Sequence, residues 1–189
     1  MEKDYQVEVL EINGESPSSL VYERYEAVLP VQQFVHNPGF TLACETCPNY
    51  QKNLSCPPYS PVFEDYLNDM QTARVICLRI PQDPMEGSTP EDRYRKSFRR
   101  ARGLLTRELL GFRQKGFLIA GCGACRSCPV CALEEGEKDC RNPDLRIYSL
   151  ESLGTNLTAL TRRCFDFDLE WSSPESAAQF VCAIGAVFY

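Results

Sequence analysis

Eight of the chain's 11 cysteines fall into two short blocks, and their spacing constrains the fold more than any other feature. The first block is Cys44-x2-Cys47 followed by Cys56. The second is Cys122, Cys125, Cys128 and Cys131, with two residues between each and the next, and Cys140 after eight intervening residues. A Cys-x2-Cys pair puts two thiolates on one tight turn, where they can converge on one ion or one cluster corner. The N–H groups of such a turn help carry the thiolate charge. A disulfide scaffold would instead be shorter, secreted and even in cysteine number. Here the count is odd, and the opening Met-Glu-Lys-Asp-Tyr has no apolar leader. A cytoplasmic location, with reduced thiols, is the expectation.

Eight thiolates make two four-ligand sites. The simplest partition gives Cys125, Cys128, Cys131 and Cys140 to one, and Cys44, Cys47 and Cys56 to the other, completed across the fold by Cys122. Two alternatives stand beside it. The first site keeps three thiolates and leaves one iron open for substrate, or Cys77 supplies its fourth ligand. The second block resembles the ferredoxin-type run, in which three Cys at x2 spacing and an outlying Cys hold a [4Fe–4S] cluster. It differs in lacking the x3-Cys-Pro ending of the bacterial motif. Zinc is the competing metal, held by facing Cys-x2-Cys hairpins such as Cys44/Cys47 and Cys125/Cys128. With a single His in the chain, mixed Cys/His zinc sites are nearly excluded.

The segment Cys44-x2-Cys47-Pro-Asn-Tyr-x-Lys-Asn-x-Ser-Cys56-Pro-Pro-x-Ser-Pro61 resembles a cysteine-rich family of predicted metal-binding proteins of unknown function, common in anaerobic bacteria and archaea. So does the second block, with Glu135-Gly-Glu137, Cys140-Arg-Asn-Pro and Ser149-Leu-Glu-Ser-Leu-Gly154. The resemblance runs from Cys44 to Gly154. It implies a cytosolic metal-binding domain, iron–sulfur before zinc, and no particular reaction. The chain departs from the pattern with Leu54 in place of an aromatic residue, Ile147-Tyr148 in place of Arg-Pro, and the additional Cys122.

A chain of 189 residues that is 43% hydrophobic is expected to form one domain, residues 1–189, of the α+β class. We expect a mostly antiparallel or mixed sheet, helices packed on it, and the two Cys-rich loops at one end. Strands are expected near 5–12, 73–80, 117–120 and 180–188 from period-2 or short β-branched apolar runs. Asn13-Gly14 to Ser19 reads as a turn, Tyr22 and Tyr25 then suggest a strand, and a short helix is expected from Pro30. The clearest helix spans 90–114, opened by Thr89-Pro90-Glu91-Asp92. Others are expected from Ser60-Pro61, with its positive N-terminus near block one, and from Ser149 along Leu150, Leu153, Leu157 and Leu160. Residues 165–171 alternate like a strand.

Net charge is −6, against general nucleic-acid affinity. No apolar run approaches the ~20 residues of a membrane helix. Yet Pro90–Lys115 carries nine basic and three acidic residues. Its basic face fits an acidic electron-carrier protein. Cys77, Cys164 and Cys182 lie in apolar contexts and read as core thiols. His36 reads as a surface turn residue. No nucleophile–base–orienter set is present. The expected function is electron transfer through one or two [4Fe–4S] clusters. A zinc-stapled interaction module and an iron–sulfur enzyme with an open iron are the alternatives.

Overall fold

The computed structural model describes residues 5–12, 20–82, 87–171 and 178–189. The turn expected at 13–19 lies outside these. Five strands, β1 (Tyr5–Ile12), β2 (Leu20–Pro30), β3 (Thr72–Pro81), β4 (Leu118–Ala120) and β5 (Phe180–Phe188), form one sheet in the order β1-β2-β3-β5-β4. Every neighbouring pair is antiparallel. The helices are α1 (Phe63–Leu67), α2 (Pro90–Gln114) and α3 (Leu157–Phe165). The class is α+β, as the sequence implies.

Strand β3 is central, and both of its faces are buried, which explains its unbroken apolar run. Ile76, Leu78 and Ile80 pack under α2 with Leu105, Leu109 and Val187. Ala73, Val75 and Cys77 point to the opposite face, where Leu150, Leu160, Phe165 and Phe188 cover them. Helix α2 starts where the Thr89 hydroxyl accepts from the Asp92 amide at 3.1 Å, with Pro90 in its first turn. Each fully buried leucine along it stabilises the fold by roughly 1.5–3 kcal/mol. Close seating on the sheet depends on Gly185 of β5. A Cβ there would stand 2.8 Å from both the Ala120 carbonyl oxygen and Leu109 Cδ1.

Several local expectations give way to competing bonds. The strand that Tyr22 and Tyr25 suggest does form, over residues 20–30, and pairs β1 to the sheet centre. The helix expected from Pro30 is a single 3₁₀ turn, Val31–Gln33. Ser60 does not cap α1, because its hydroxyl donates to the Ser152 carbonyl at 2.7 Å. That five-residue helix starts at Phe63, capped by Val62, too far and too short to serve block one. Ser149 does start a turn, its hydroxyl accepting from the Ser152 amide at 3.0 Å. Gly154, at φ 82°, ends it, and Asn156 caps α3 afresh by accepting from the Ala159 amide at 3.0 Å. Phe165 closes α3, and Phe167 and Leu169 pack on the core from 167–171, which joins no strand among the described residues, so 165–171 alternates without belonging to the sheet. His36 is half-buried, stacked on Phe63 at 4.6 Å between ring centres, with Nδ1 3.3 Å from Glu64 Oε1.

Candidate metal centre

The second cysteine block leaves β4 at Gly121 and returns at Tyr148. Two backbone bonds clip the base of this loop: Gly121 donates to the Tyr148 carbonyl at 2.8 Å, and Leu150 donates to the Gly121 carbonyl at 3.0 Å. Helix α2 braces it from one side. Arg113 donates to the carbonyls of Asp144 at 3.1 Å and Arg146 at 2.8 Å, and Arg102 donates to that of Ala124. The loop itself holds only 3₁₀ turns, at Ala132–Glu135 and Pro143–Leu145. Its path is set by these anchors rather than by helix or sheet.

Cys125, Cys128, Cys131 and Cys140 all line one pocket of about 90 Å³ inside this loop. Block one supplies part of its wall through Asn49, Asn53 and Leu54. The Leu54 amide donates to Cys131 Sγ at 3.4 Å, and Asn142 Nδ2 donates to Cys128 Sγ at 3.1 Å. Ser55 and Asn53 bolt the blocks together. Ser55 Oγ accepts from the Cys125 amide at 2.8 Å, and Asn53 Nδ2 donates to the Cys125 carbonyl at 3.2 Å.

Cys44, Cys47 and Cys56 line a second, larger cavity of about 490 Å³. Asn49 Nδ2 donates to Cys47 Sγ at 3.7 Å. Burial pushes the Cys56 thiol up to about 11, against the lowering effect of the Ser55 hydroxyl. Burial also raises Cys44, with Glu151 and Cys47 adding to the effect. Such thiols lose their protons to solvent readily only when a metal cation takes the proton's place on sulfur, which is how metal binding couples to proton release. Gly154 helps shape this corner: its Cβ position is 2.8 Å from the Asn37 carbonyl oxygen, and the Asn37 amide donates to the Gly154 carbonyl at 2.9 Å.

Cys122 joins neither group. It is 7% exposed and packs with the core under α2. It lines a third cavity, of about 130 Å³, together with Tyr94 and Cys182. Burial, then Glu151, pushes its thiol up to about 12. Cys77 is buried in β3, its thiol hydrogen-bonded with that of Cys182, and it does not line block one's cavity. Cys164 is buried on the inner face of α3. Among the described residues, no three His, Cys, Asp or Glu side chains are gathered closely enough to hold a single metal ion.

A sequence model described as predicted metal-binding protein (DUF2284) matches residues 27–188. The chain belongs to this family. No curated protein matches it, and no solved structure does. The matched span contains both cysteine blocks, all of β3, β4 and β5, and the end of β2.

In this family member the residues around the smaller pocket suit an anionic metal group. Its donor set is four thiols. Arg126, Arg141 and Arg146 line the same pocket, and the buried Arg146 Nε has no hydrogen-bond partner within the protein. A negative group bound among the four sulfurs would meet Arg126 and Arg146, since Arg141 is paired with Glu135 and Glu137, and amide donors already aimed at sulfur, with Glu134 the one carboxylate among the lining residues. Sequence reasoning missed Glu151 and Thr155, which line block one's cavity with buried oxygens lacking protein partners. Neither lies in a cysteine motif; only Glu151's place inside the Ser149–Gly154 turn pointed to it.

Proposed function

We propose that this protein is an iron–sulfur protein, with Cys125, Cys128, Cys131 and Cys140 as ligands of a [4Fe–4S] cluster. The observation that carries the reading is the sharing of one pocket by these four thiols, with an amide of each cysteine block donating to a sulfur. With Cys122 placed in the core, the remaining run is three Cys at x2 spacing plus an outlying Cys, the ligand order of cluster-binding loops. Such a cluster supplies one-electron chemistry, and the protein tunes it through N–H to sulfur bonds, nearby charge and burial. Arg146 and Arg126 offset the charge of the thiolates, and α2 braces their loop. The exposed Arg99 and Arg107 of α2 are the proposed docking site of an acidic electron-carrier protein.

The cavity favours a second reading for block one. Cys44, Cys47 and Cys56 hold a second metal group with one position left for a ligand, because the cavity they border brings no fourth thiol. This is the iron–sulfur enzyme with an open iron.

Anaerobic purification, followed by visible spectroscopy and iron and sulfide analysis, tests the proposal. Brown protein with equal iron and acid-labile sulfide, bleached by dithionite, is expected. Colourless protein with stoichiometric zinc would overturn it in favour of a zinc-stapled module.

A further inference from the structure

Residues 53–56 belong to both cysteine sites at once. The Cys56 amide donates to the Asn53 carbonyl at 2.9 Å, which closes the four residues into one turn. The first three of them bond to block two. Asn53 Nδ2 donates to the Cys125 carbonyl at 3.2 Å, the Leu54 amide donates to Cys131 Sγ at 3.4 Å, and Ser55 Oγ accepts from the Cys125 amide at 2.8 Å. The fourth, Cys56, lines block one's cavity. Ser55 Oγ lies 4.0 Å from Cys56 Sγ. One hydroxyl therefore contacts a cysteine of each block.

The turn has little freedom to absorb a shift. Leu54, Ser55 and Cys56 are all buried. Asn53 Oδ1 accepts from the Ser55 amide at 3.0 Å and from the Ser55 hydroxyl at 2.8 Å, so the two side chains hold each other. A close-packed interior has low compressibility and transmits displacement rather than damping it. A second contact runs beside the first. Asn49 lines the block-two pocket and donates to Cys47 Sγ of block one at 3.7 Å. Ala124 lies on the walls of both cavities. Energetic coupling between sites is carried by contiguous packed and hydrogen-bonded networks of this kind. With Cys125 and Cys131 held as ligands, the turn presents Cys56 in a fixed place, and less ordering remains to be done at block one.

We propose that the two cysteine blocks load metal cooperatively, with Ser55 as the positioning residue that couples them. The coupling rests on the reading that both blocks bind metal, and it applies to iron–sulfur and zinc alike. By linkage it is reciprocal: each loaded block raises the metal affinity of the other by the same factor.

Titration of the anaerobically purified, metal-loaded full chain with EDTA, with metal analysis at each step, tests this. The parent chain should lose the metal of both blocks in one transition. Cys140→Ser removes a block-two ligand, and block one should then release its metal at about tenfold lower EDTA. Cys47→Ser should lower retention at block two by a similar factor. Ser55→Ala should split the single transition into two, and Cys140→Ser added to it should cost block one nothing more. A Ser55 that only supports the fold would give effects that add. Two separate transitions in the parent, or additive effects of Ser55→Ala and Cys140→Ser, would overturn the proposal. Circular dichroism of each variant confirms folding. If Ser55→Ala does not fold, Asn53→Ala breaks the same link, and the reciprocal pair Cys140→Ser and Cys47→Ser still decides whether the blocks are coupled. Metal content unchanged by Cys47→Ser would mean that block one holds none, which sinks the two-site reading; two loaded blocks that unload independently sink the coupling alone.

Discussion

The backbone amide of Leu54 donates to the sulfur of Cys131 at 3.4 Å, across 77 positions of sequence. One cysteine block thereby helps solvate a thiolate of the other. The bond also accounts for a departure from the family pattern. Position 54 acts on the pocket through its N–H, which any residue but proline carries, while its side chain is buried in the fold. An aliphatic residue can therefore stand where an aromatic one was expected.

Asn142 makes the comparable bond to Cys128, at 3.1 Å, from a side chain that can be removed cleanly. Asn142→Ala should weaken metal retention by about 10–100-fold, the usual cost of losing a partner of a metal ligand. It should also lower the reduction potential, because an unbonded thiolate favours the oxidised metal. Chelator competition and redox titration measure the two effects. Unchanged metal retention would show that this donor does not serve a ligand.

Ser55 is 1% exposed and accepts from the Cys125 amide at 2.8 Å. Ser55→Ala leaves a buried N–H without its partner, at a cost of about 1–3 kcal/mol. Urea denaturation should show a lower midpoint at unchanged slope. A loss well below 1 kcal/mol would mean that water replaces the hydroxyl.

Gly185→Ala should destabilise the fold by about 1–3 kcal/mol through overpacking. The new methyl group would press on the Ala120 carbonyl, which is backbone, and on Leu109, which is fully buried, so neither yields easily. A thermal melt reads the loss directly. Gly103, on the same helix–sheet unit, has open space at its Cβ position and makes a suitable control.

Burial pushes the Cys164 thiol up to about 12. Its folded value lies above the ~8.5 of an unfolded chain, so the folded state holds this proton more tightly. Stability is therefore full below about pH 8.5 and falls as pH rises toward the folded value, by roughly 1 kcal/mol per pH unit. Urea midpoints at about pH 8 and about pH 10, in reductant, should diverge less in Cys164→Ala than in the parent chain. Equal divergence would show that this thiol does not contribute to the slope.

Elements whose signal is local are legible in the sequence. Helix α2 carries its cap, its stripe and its terminating glycine within one stretch, and β3 and β5 carry apolar runs too short for helices. The Ser149 helix misleads for a local reason as well. Its two serines bond each other's amides, and Gly154 then turns the chain away, so the leucine spacing belongs to a turn and a later helix. Residues 165–171 alternate because Phe165, at the end of α3, and then Phe167 and Leu169 turn onto the core, and the sequence does not reveal that no described strand pairs with them.

The cysteine blocks divide in the same way. From spacing alone the sequence determines that these thiols belong on tight turns and that the two blocks are metal-binding in kind. Only the tertiary structure decides which sulfurs share a pocket. It gathers Cys125, Cys128, Cys131 and Cys140, keeps Cys44, Cys47 and Cys56 on a separate cavity, and turns Cys122 into the core. The physical reason lies in the bonds at Gly121 and Gly123. Gly121 is clipped to Tyr148 and Leu150 at the end of β4, and Gly123 takes a φ of 63° that favours glycine. Beyond the end of β4 at Ala120, Cys122 packs into the cluster under α2, while the chain after Gly123 runs into the loop bolted to block one. Motif spacing carries no trace of that reversal, because long-range backbone pairing imposes it.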